Sequence, residues 1–384
     1  MIPPPLSLYV HLPWCVRKCP YCDFNSHTAG TAAPKRRYLD ALLIDLQTES
    51  ARAPDREIQS VFLGGGTPSL FSPDEIHEIL SGVREFFIVS PDVEVTMEAN
   101  PGTVECGSPA GYRAAGVNRL SIGAQSFDDS LLSVLGRIHS SADIIAAVED
   151  SKAAGFENIN IDLMHGLPGQ SIDMALADLA AAVQLQPTHI SWYQLTLEPN
   201  TVFYARPPAN LPDDDLAFEI QDRGQALLAA HGFEQYEVSA YARDGRRCLH
   251  NLNYWLFGDY LAVGAGAHGK ITVDDGIGRY QKPANPLQYM MGQETSPAAT
   301  ELTLLKPTER VFDFMLNALR LNDGFDEAIF EQRTGLSGTD LIEAAGPAMD
   351  RGLIERSDSL HWKPTELGGR FLNDLQAEFI VEKA

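Results

Sequence analysis

The segment Tyr9-Val10-His11-Leu12-Pro13-Trp14-Cys15-Val16-Arg17-Lys18-Cys19-Pro20-Tyr21-Cys22-Asp23-Phe24 governs how the whole chain is read. Three of the chain's five cysteines fall within it, at Cys15, Cys19 and Cys22, spaced Cys-x3-Cys-x2-Cys straight after a short apolar run. Thiolates crowded this closely on a loop suit a soft metal or an iron–sulfur cluster. A structural zinc site asks for four protein ligands, and no second Cys/His pair at finger spacing follows. A [4Fe-4S] cube normally takes four thiolates, so three leave one iron open to chelation by a small molecule. The competing reading is two buried thiols plus a spare. The tight spacing favours the cluster.

Outward from this loop the pattern alternates. Residues 6–12 read as a first strand, and 35–52 carry Tyr38, Leu42, Leu43 and Leu46 at helical spacing. A strand over 58–63 breaks at Gly64-Gly65-Gly66-Thr67-Pro68, and a helix over 73–86 follows Ser72, a fair N-cap before Pro73. Further strands are expected at 93–98, 119–123, 158–164 and 189–195, with helices at 126–135, 141–154 and 172–184 between them. Strands alternating with helices pair in parallel through right-handed crossovers. Six such units make an α/β barrel or partial barrel, whose working face lies at the C-terminal ends of its strands. Beyond them come a proline-bearing loop over 196–212, a helix over 213–230 and a strand over 236–241.

The 384 residues exceed one ordinary domain, so a large domain plus a smaller one is expected. There are 29 basic against 52 acidic residues, a net charge of −23, which repels phosphate backbones and argues against general nucleic-acid binding. No apolar run approaches the roughly 18–20 residues of a membrane span, and no basic-then-apolar leader opens the chain. A peripheral membrane contact would need neither. The two remaining cysteines, Cys106 and Cys248, stand apart and form no disulfide framework, so a reducing, cytoplasmic setting is expected.

Cys-x3-Cys-x2-Cys after a short strand resembles the cluster loop of the radical S-adenosylmethionine (SAM) superfamily. There the fourth iron binds the amino and carboxylate groups of SAM. Tyr9-Val10-His11-Leu12-Pro13-Trp14-Cys15 narrows the resemblance to the branch of oxygen-independent coproporphyrinogen III dehydrogenases and HemW heme chaperones. The resemblance implies a (β/α)6-type partial barrel with a winged-helix-like C-terminal domain. It divides the chain into a core over 1–235, a connector over 236–300 and the C-terminal domain over 301–384. It also implies SAM contacts from Tyr9, from Gly65, Gly66 and Thr67 after the second strand, and from Glu98, Gln125, Arg137, Asp162 and Thr196. Ala267 and His268 would lie near the adenine. Carboxylates suit ribose hydroxyls and a guanidinium suits a carboxylate. The plainer alternatives are strand-end residues that satisfy a loop and, for Arg137, a surface ion pair.

Cys248-Leu249-His250-Asn251-Leu252-Asn253-Tyr254-Trp255 contains His-Asn-x-x-Tyr-Trp, which resembles the signature of the HemW members. Imidazole is a good axial ligand for heme iron, so His250 is the candidate heme ligand and Cys248 a weaker rival. A histidine beside aromatics is also a common hydrogen-bonded core residue. Helices over 309–319, 325–334 and 338–351, then a hairpin over 354–362, resemble the branch's winged domain. Its acidic residues, among them Asp323, Asp326 and Glu327, favour a lid or partner surface over DNA. The dehydrogenase pattern continues Cys-x2-Cys-x-Cys, whereas Phe24 stands where its fourth cysteine would, and only eight residues precede Tyr9. The expectation is therefore a heme chaperone that passes heme to acceptor hemoproteins, with a [4Fe-4S] cluster, SAM and heme as cofactors, as monomer or homodimer. The dehydrogenase and another radical SAM enzyme stand as alternatives.

Overall fold

The strand Leu6–Leu12 (β1) is buried along almost its whole length, and the sheet is built outward from it on both sides. The computed structural model describes residues 3–29, 33–102, 107–243 and 245–380. In chain order, β1 is followed by β2 (Glu57–Gly65), β3 (Ile88–Ala99), β4 (Arg119–Gln125), β5 (Asn158–His165) and β6 (His189–Gln194). Each pairs in parallel with its predecessor, giving the six-unit partial barrel. At the far edge, β7 (Glu234–Glu237) and β8 (Ala240–Ala242) add an antiparallel pair to β6. On the other side, β9 (Asp259–Val263) lies parallel to β1. The sheet then continues antiparallel through β10 (His268–Val273), β11 (Gly276–Gln281) and β12 (Thr303–Leu304).

The crossover helices start where side chains can satisfy their first N–H groups. Ser72 and Ser140 form capping boxes with Glu75 and Asp143, while Ser171 and Asp213 cap the helices Ile172–Gln184 and Asp214–Ala230. Asp128 likewise caps Asp129–Val134, so this helix begins three residues later than its apolar pattern does. The strand expected over 236–241 is two short strands. Glu237 accepts from the backbone N–H and hydroxyl of Ser239 and folds the chain into a turn between them. The loop over 196–212 holds one helical turn, Val202–Ala205, capped by Thr201.

A second core lies in the C-terminal part, where Pro307–Ala318, Glu327–Thr334 and Gly338–Asp350 pack with the hairpin Ile354–Arg356 and His361–Pro364. Phe325 and Asp326 pair with that hairpin instead of opening a helix. Phe257 from the connector belongs to this second core and packs edge-on against Phe314, ring centroids 5.8 Å apart. Among the described residues, no helix is long and apolar enough to cross a membrane.

Candidate functional site

The C-terminal ends of the parallel strands and the cysteine loop enclose a cavity of about 480 Å³. The loop is fixed at both ends by backbone hydrogen bonds. Trp14–Cys15 pairs with His27–Thr28, and Thr67 N–H donates to the Trp14 carbonyl at 2.7 Å. Between these anchors Cys15, Cys19 and Cys22 all line the cavity as free thiols. Burial raises the thiol pKa of Cys15 and of Cys22. Arg137 Nη1 stands 3.6 Å from Cys19 Sγ, while its Nη2 donates to Asn100 Oδ1 at 2.6 Å and to the Gly123 carbonyl at 2.9 Å.

These residues fit an iron–sulfur cluster better than a single ion. Among the described residues, no three His, Cys, Asp or Glu side chains gather as the ligands of one metal ion. A cluster takes one thiolate per iron, so its ligands need not meet at one point. A cation beside a sulfur also suits the anionic charge that thiolate ligation brings.

The glycines after β2 answer first to the protein itself. A Cβ on Gly66 would sit 2.6 Å from the Trp14 carbonyl oxygen, and one on Gly65, whose φ is +113°, would strike the His11 ring. Their backbone nonetheless lines the cavity, with Thr67 beside them. Gly65 N–H donates to Glu98 Oε2 at 3.0 Å. Burial, then the neighbouring Asp162, pushes the Glu98 carboxyl up to about 7. Asp162 accepts from the Ser121 hydroxyl at 2.9 Å and the Asn160 amide at 2.8 Å. Gln125 closes the ring of contacts with its Oε1 2.7 Å from the Tyr193 hydroxyl, and Thr196 completes that side of the wall.

The structure thus gathers the three cysteines, Gly65, Gly66, Thr67, Glu98, Gln125, Arg137, Asp162 and Thr196 round one cavity. It leaves four expected residues outside that wall. Tyr9 hydrogen-bonds His11 Nδ1 at 3.0 Å and lies against Phe62, which itself faces the cavity. Ala267 is buried, and His268 is exposed at the start of β10. His250 is 8% exposed and lies behind Phe62, ring centroids 5.1 Å apart. Its neighbour Asn251 reaches the cavity instead. Sequence reasoning missed Tyr193, Asn100, Arg119 and Asn251, all of which line the wall.

His250 belongs to the helix Leu249–Trp255, which packs near the N-terminal ends of β1, β2 and β9. The Glu94 carboxylate accepts from the N–H groups of Leu249 and His250, each at 3.2 Å, and from Cys248 Sγ at 3.5 Å. Asn253 donates to Ser7 Oγ and to the Asp259 carbonyl, both at 2.9 Å. His250 Nδ1 is 3.1 Å from Ser60 Oγ, and burial, assisted by Arg119, pushes its imidazolium pKa down to about 3. The ring is neutral at physiological pH. Cys248 is fully buried and burial pushes its thiol up to about 12, so it stays protonated and is a poor iron ligand. Cys106 lies outside the described residues.

The chain matches the family models "Radical SAM superfamily" over residues 9–180 and "HemN C-terminal domain" over residues 305–371. It is 47% identical to the heme chaperone HemW of Haemophilus influenzae over 386 residues, covering 99% of each chain. The Escherichia coli heme chaperone HemW is also 47% identical, over 381 residues and 99% of each chain. Among solved structures, coproporphyrinogen III oxidase (HemN) from Escherichia coli superposes with a TM-score of 0.80 over 98% of this chain and 90% of its own, at 23% identity. That likeness speaks for the fold. Near half-identity over nearly the full length of both chains speaks for more, and the chain belongs to the HemW family of the radical SAM superfamily.

Proposed function

We propose that this protein is a heme chaperone, binding heme and passing it to acceptor hemoproteins in the cytoplasm. The observation that carries this is the 47% identity, over 99% of each chain, to two proteins named heme chaperones. In this proposal Cys15, Cys19 and Cys22 hold a [4Fe-4S] cluster, whose open iron takes SAM. The cluster supplies an electron-storing centre and a Lewis-acidic site for the amino and carboxylate groups of SAM. Arg137 would offset negative charge at Cys19. Glu98, Gln125 and Asp162, with Thr67 and Thr196, would line the rest of the SAM pocket, the backbone of Gly65 and Gly66 leaving it room. Tyr9 would act through His11 and Phe62. Ala267 and His268 would close over the adenine side.

His250 is proposed as the heme ligand. Its support is a neutral imidazole whose Nδ1 is engaged by Ser60, the arrangement that orients a ring to bind metal through its other nitrogen. Iron binding would have to reach a side chain that the cavity wall now covers. The test is a heme titration of His250→Ala beside the wild type. The proposal expects a shifted Soret band and weaker binding in the variant. An unchanged spectrum and affinity would remove His250 from the site.

A further inference from the structure

The cavity has a floor as well as a mouth, and the floor carries a charge that the protein leaves open. Arg119, the first residue of β4, is 2% exposed and lines the cavity. Its Nε has no hydrogen-bond partner, and it joins none of the ion pairs found among the described residues. Two carboxylates act on it through space, those of Glu94 and Asp162. Both are engaged elsewhere. Glu94 holds the start of the helix Leu249–Trp255, and Asp162 accepts from Ser121 and Asn160.

Against burial, the nearby carboxylates favour the Arg119 charge and hold its pKa above the ordinary value, but they make no hydrogen bond to it, so its buried donors are left without an acceptor, which is costly. Its planar fork of five donors matches a carboxylate in bidentate geometry. Of the groups around it on the cavity wall, Ser121, Asn160, Ser191 and Asn251 are neutral and polar, and the one carboxylate, Asp162, already accepts from Ser121 and Asn160. The mouth and the floor are far apart. Arg119 and Gln125 bound a strand of seven residues, about 20 Å at 3.3 Å per residue. SAM has one carboxylate, which the proposal above commits to the open iron at the mouth. An acid group at the floor must come from a second molecule. Arg119 also acts electrostatically on His250, so the cation and the candidate iron ligand share one end of the barrel.

We propose that Arg119 is a carboxylate-binding residue at the cavity floor and receives one propionate of the bound tetrapyrrole. The assignment rests on the heme-binding proposal and names the group by which heme is recognised. It requires the acid of the ligand, whereas iron ligation by His250 requires the metal.

The experiment compares iron protoporphyrin IX with its dimethyl ester, in which both propionates are blocked. Each is titrated into the cluster-loaded wild type, Arg119→Gln and Arg119→Lys, following the Soret band. SAM affinity and the melting temperature without heme are measured on the same preparations. Wild type should bind the free acid about 10- to 100-fold more tightly than the diester, the range of a charge-assisted hydrogen-bonded contact. Arg119→Gln should bind both porphyrins at the diester's level, keep its SAM affinity and melt no lower than wild type. Arg119→Lys should retain part of the preference, because it keeps the charge and loses the fork. Equal binding of acid and diester by wild type would overturn the Arg119 site and leave heme binding standing. Binding of neither would overturn both proposals. A loss of SAM affinity in Arg119→Gln with the acid preference intact would give the site to SAM. A lower melting temperature with that preference intact would make Arg119 structural. Should Arg119→Gln fail to fold, full preference in Arg119→Lys would overturn the proposal and partial preference would support it.

Discussion

Gln125 ends β4 with φ at +71°, in the left-handed region where a non-glycine residue pays on the order of 1–2 kcal/mol. The strain turns its side chain onto the Tyr193 hydroxyl at the cavity wall. Glu98, one strand away, bears a different cost. Its carboxyl titrates near 7 in the fold against 4.5 as the ordinary value, so the folded state binds its proton more tightly than the unfolded chain does. Its contribution to stability is therefore full below about pH 4.5 and declines as pH rises towards 7. Glu98→Gln should accordingly melt higher than wild type at pH 8, by an amount on the order of 1–3 kcal/mol, and about level with it at pH 4. Melts at the two pH values check this, and equal offsets at both would contradict it. Residues that carry chemistry at strand ends, such as the cysteines and Glu98, were legible in the sequence. Arg119 and Tyr193 were not. Parallel strands bury both faces, so alternation does not say which parity looks into the barrel.

The helix Leu249–Trp255 is too short to persist without tertiary support. The Glu94 carboxylate at its first N–H groups and the Asn253 amide on Ser7 hold it against the strands. Glu94→Ala should leave those buried donors without an acceptor, costing about 1–3 kcal/mol of stability and weakening heme binding together with it. Denaturant melts and heme titrations of the same variant check this. Unchanged stability would show that the helix does not depend on Glu94. The sequence marked this stretch as a motif without marking it as a helix, because its His-Asn-x-Asn order lacks an apolar period. The hairpin of β7 and β8 was hidden for a related reason. A side-chain acceptor at Glu237, not a glycine or proline, makes the turn.

Across the whole molecule, the alternating units predicted the parallel core, whereas the pairing of β9 with β1 joins residues some 250 positions apart and no local pattern announces it. That pairing brings the connector onto the first helix, Lys35–Ser50. Lys282 there meets Asp45 at 2.6 Å and Glu49 at 2.7 Å, with all three side chains fully buried. Asp45 also accepts from Gly264 N–H at 3.1 Å, so the same cluster positions the loop before Ala267 and His268. Lys282→Met should leave buried Asp45 without a cation, and Glu49 with Arg52 alone, and cost about 3–5 kcal/mol. Chemical denaturation checks this, and a loss below about 1 kcal/mol would show the cluster to be dispensable. The central proposal is heme binding by a fold shared with a porphyrinogen oxidase. Its most direct test is to titrate one anaerobic, cluster-loaded preparation with heme and to incubate the same preparation with coproporphyrinogen III, SAM and reductant. Stoichiometric heme binding and no protoporphyrinogen are expected; sustained turnover to protoporphyrinogen without heme binding would overturn the proposal.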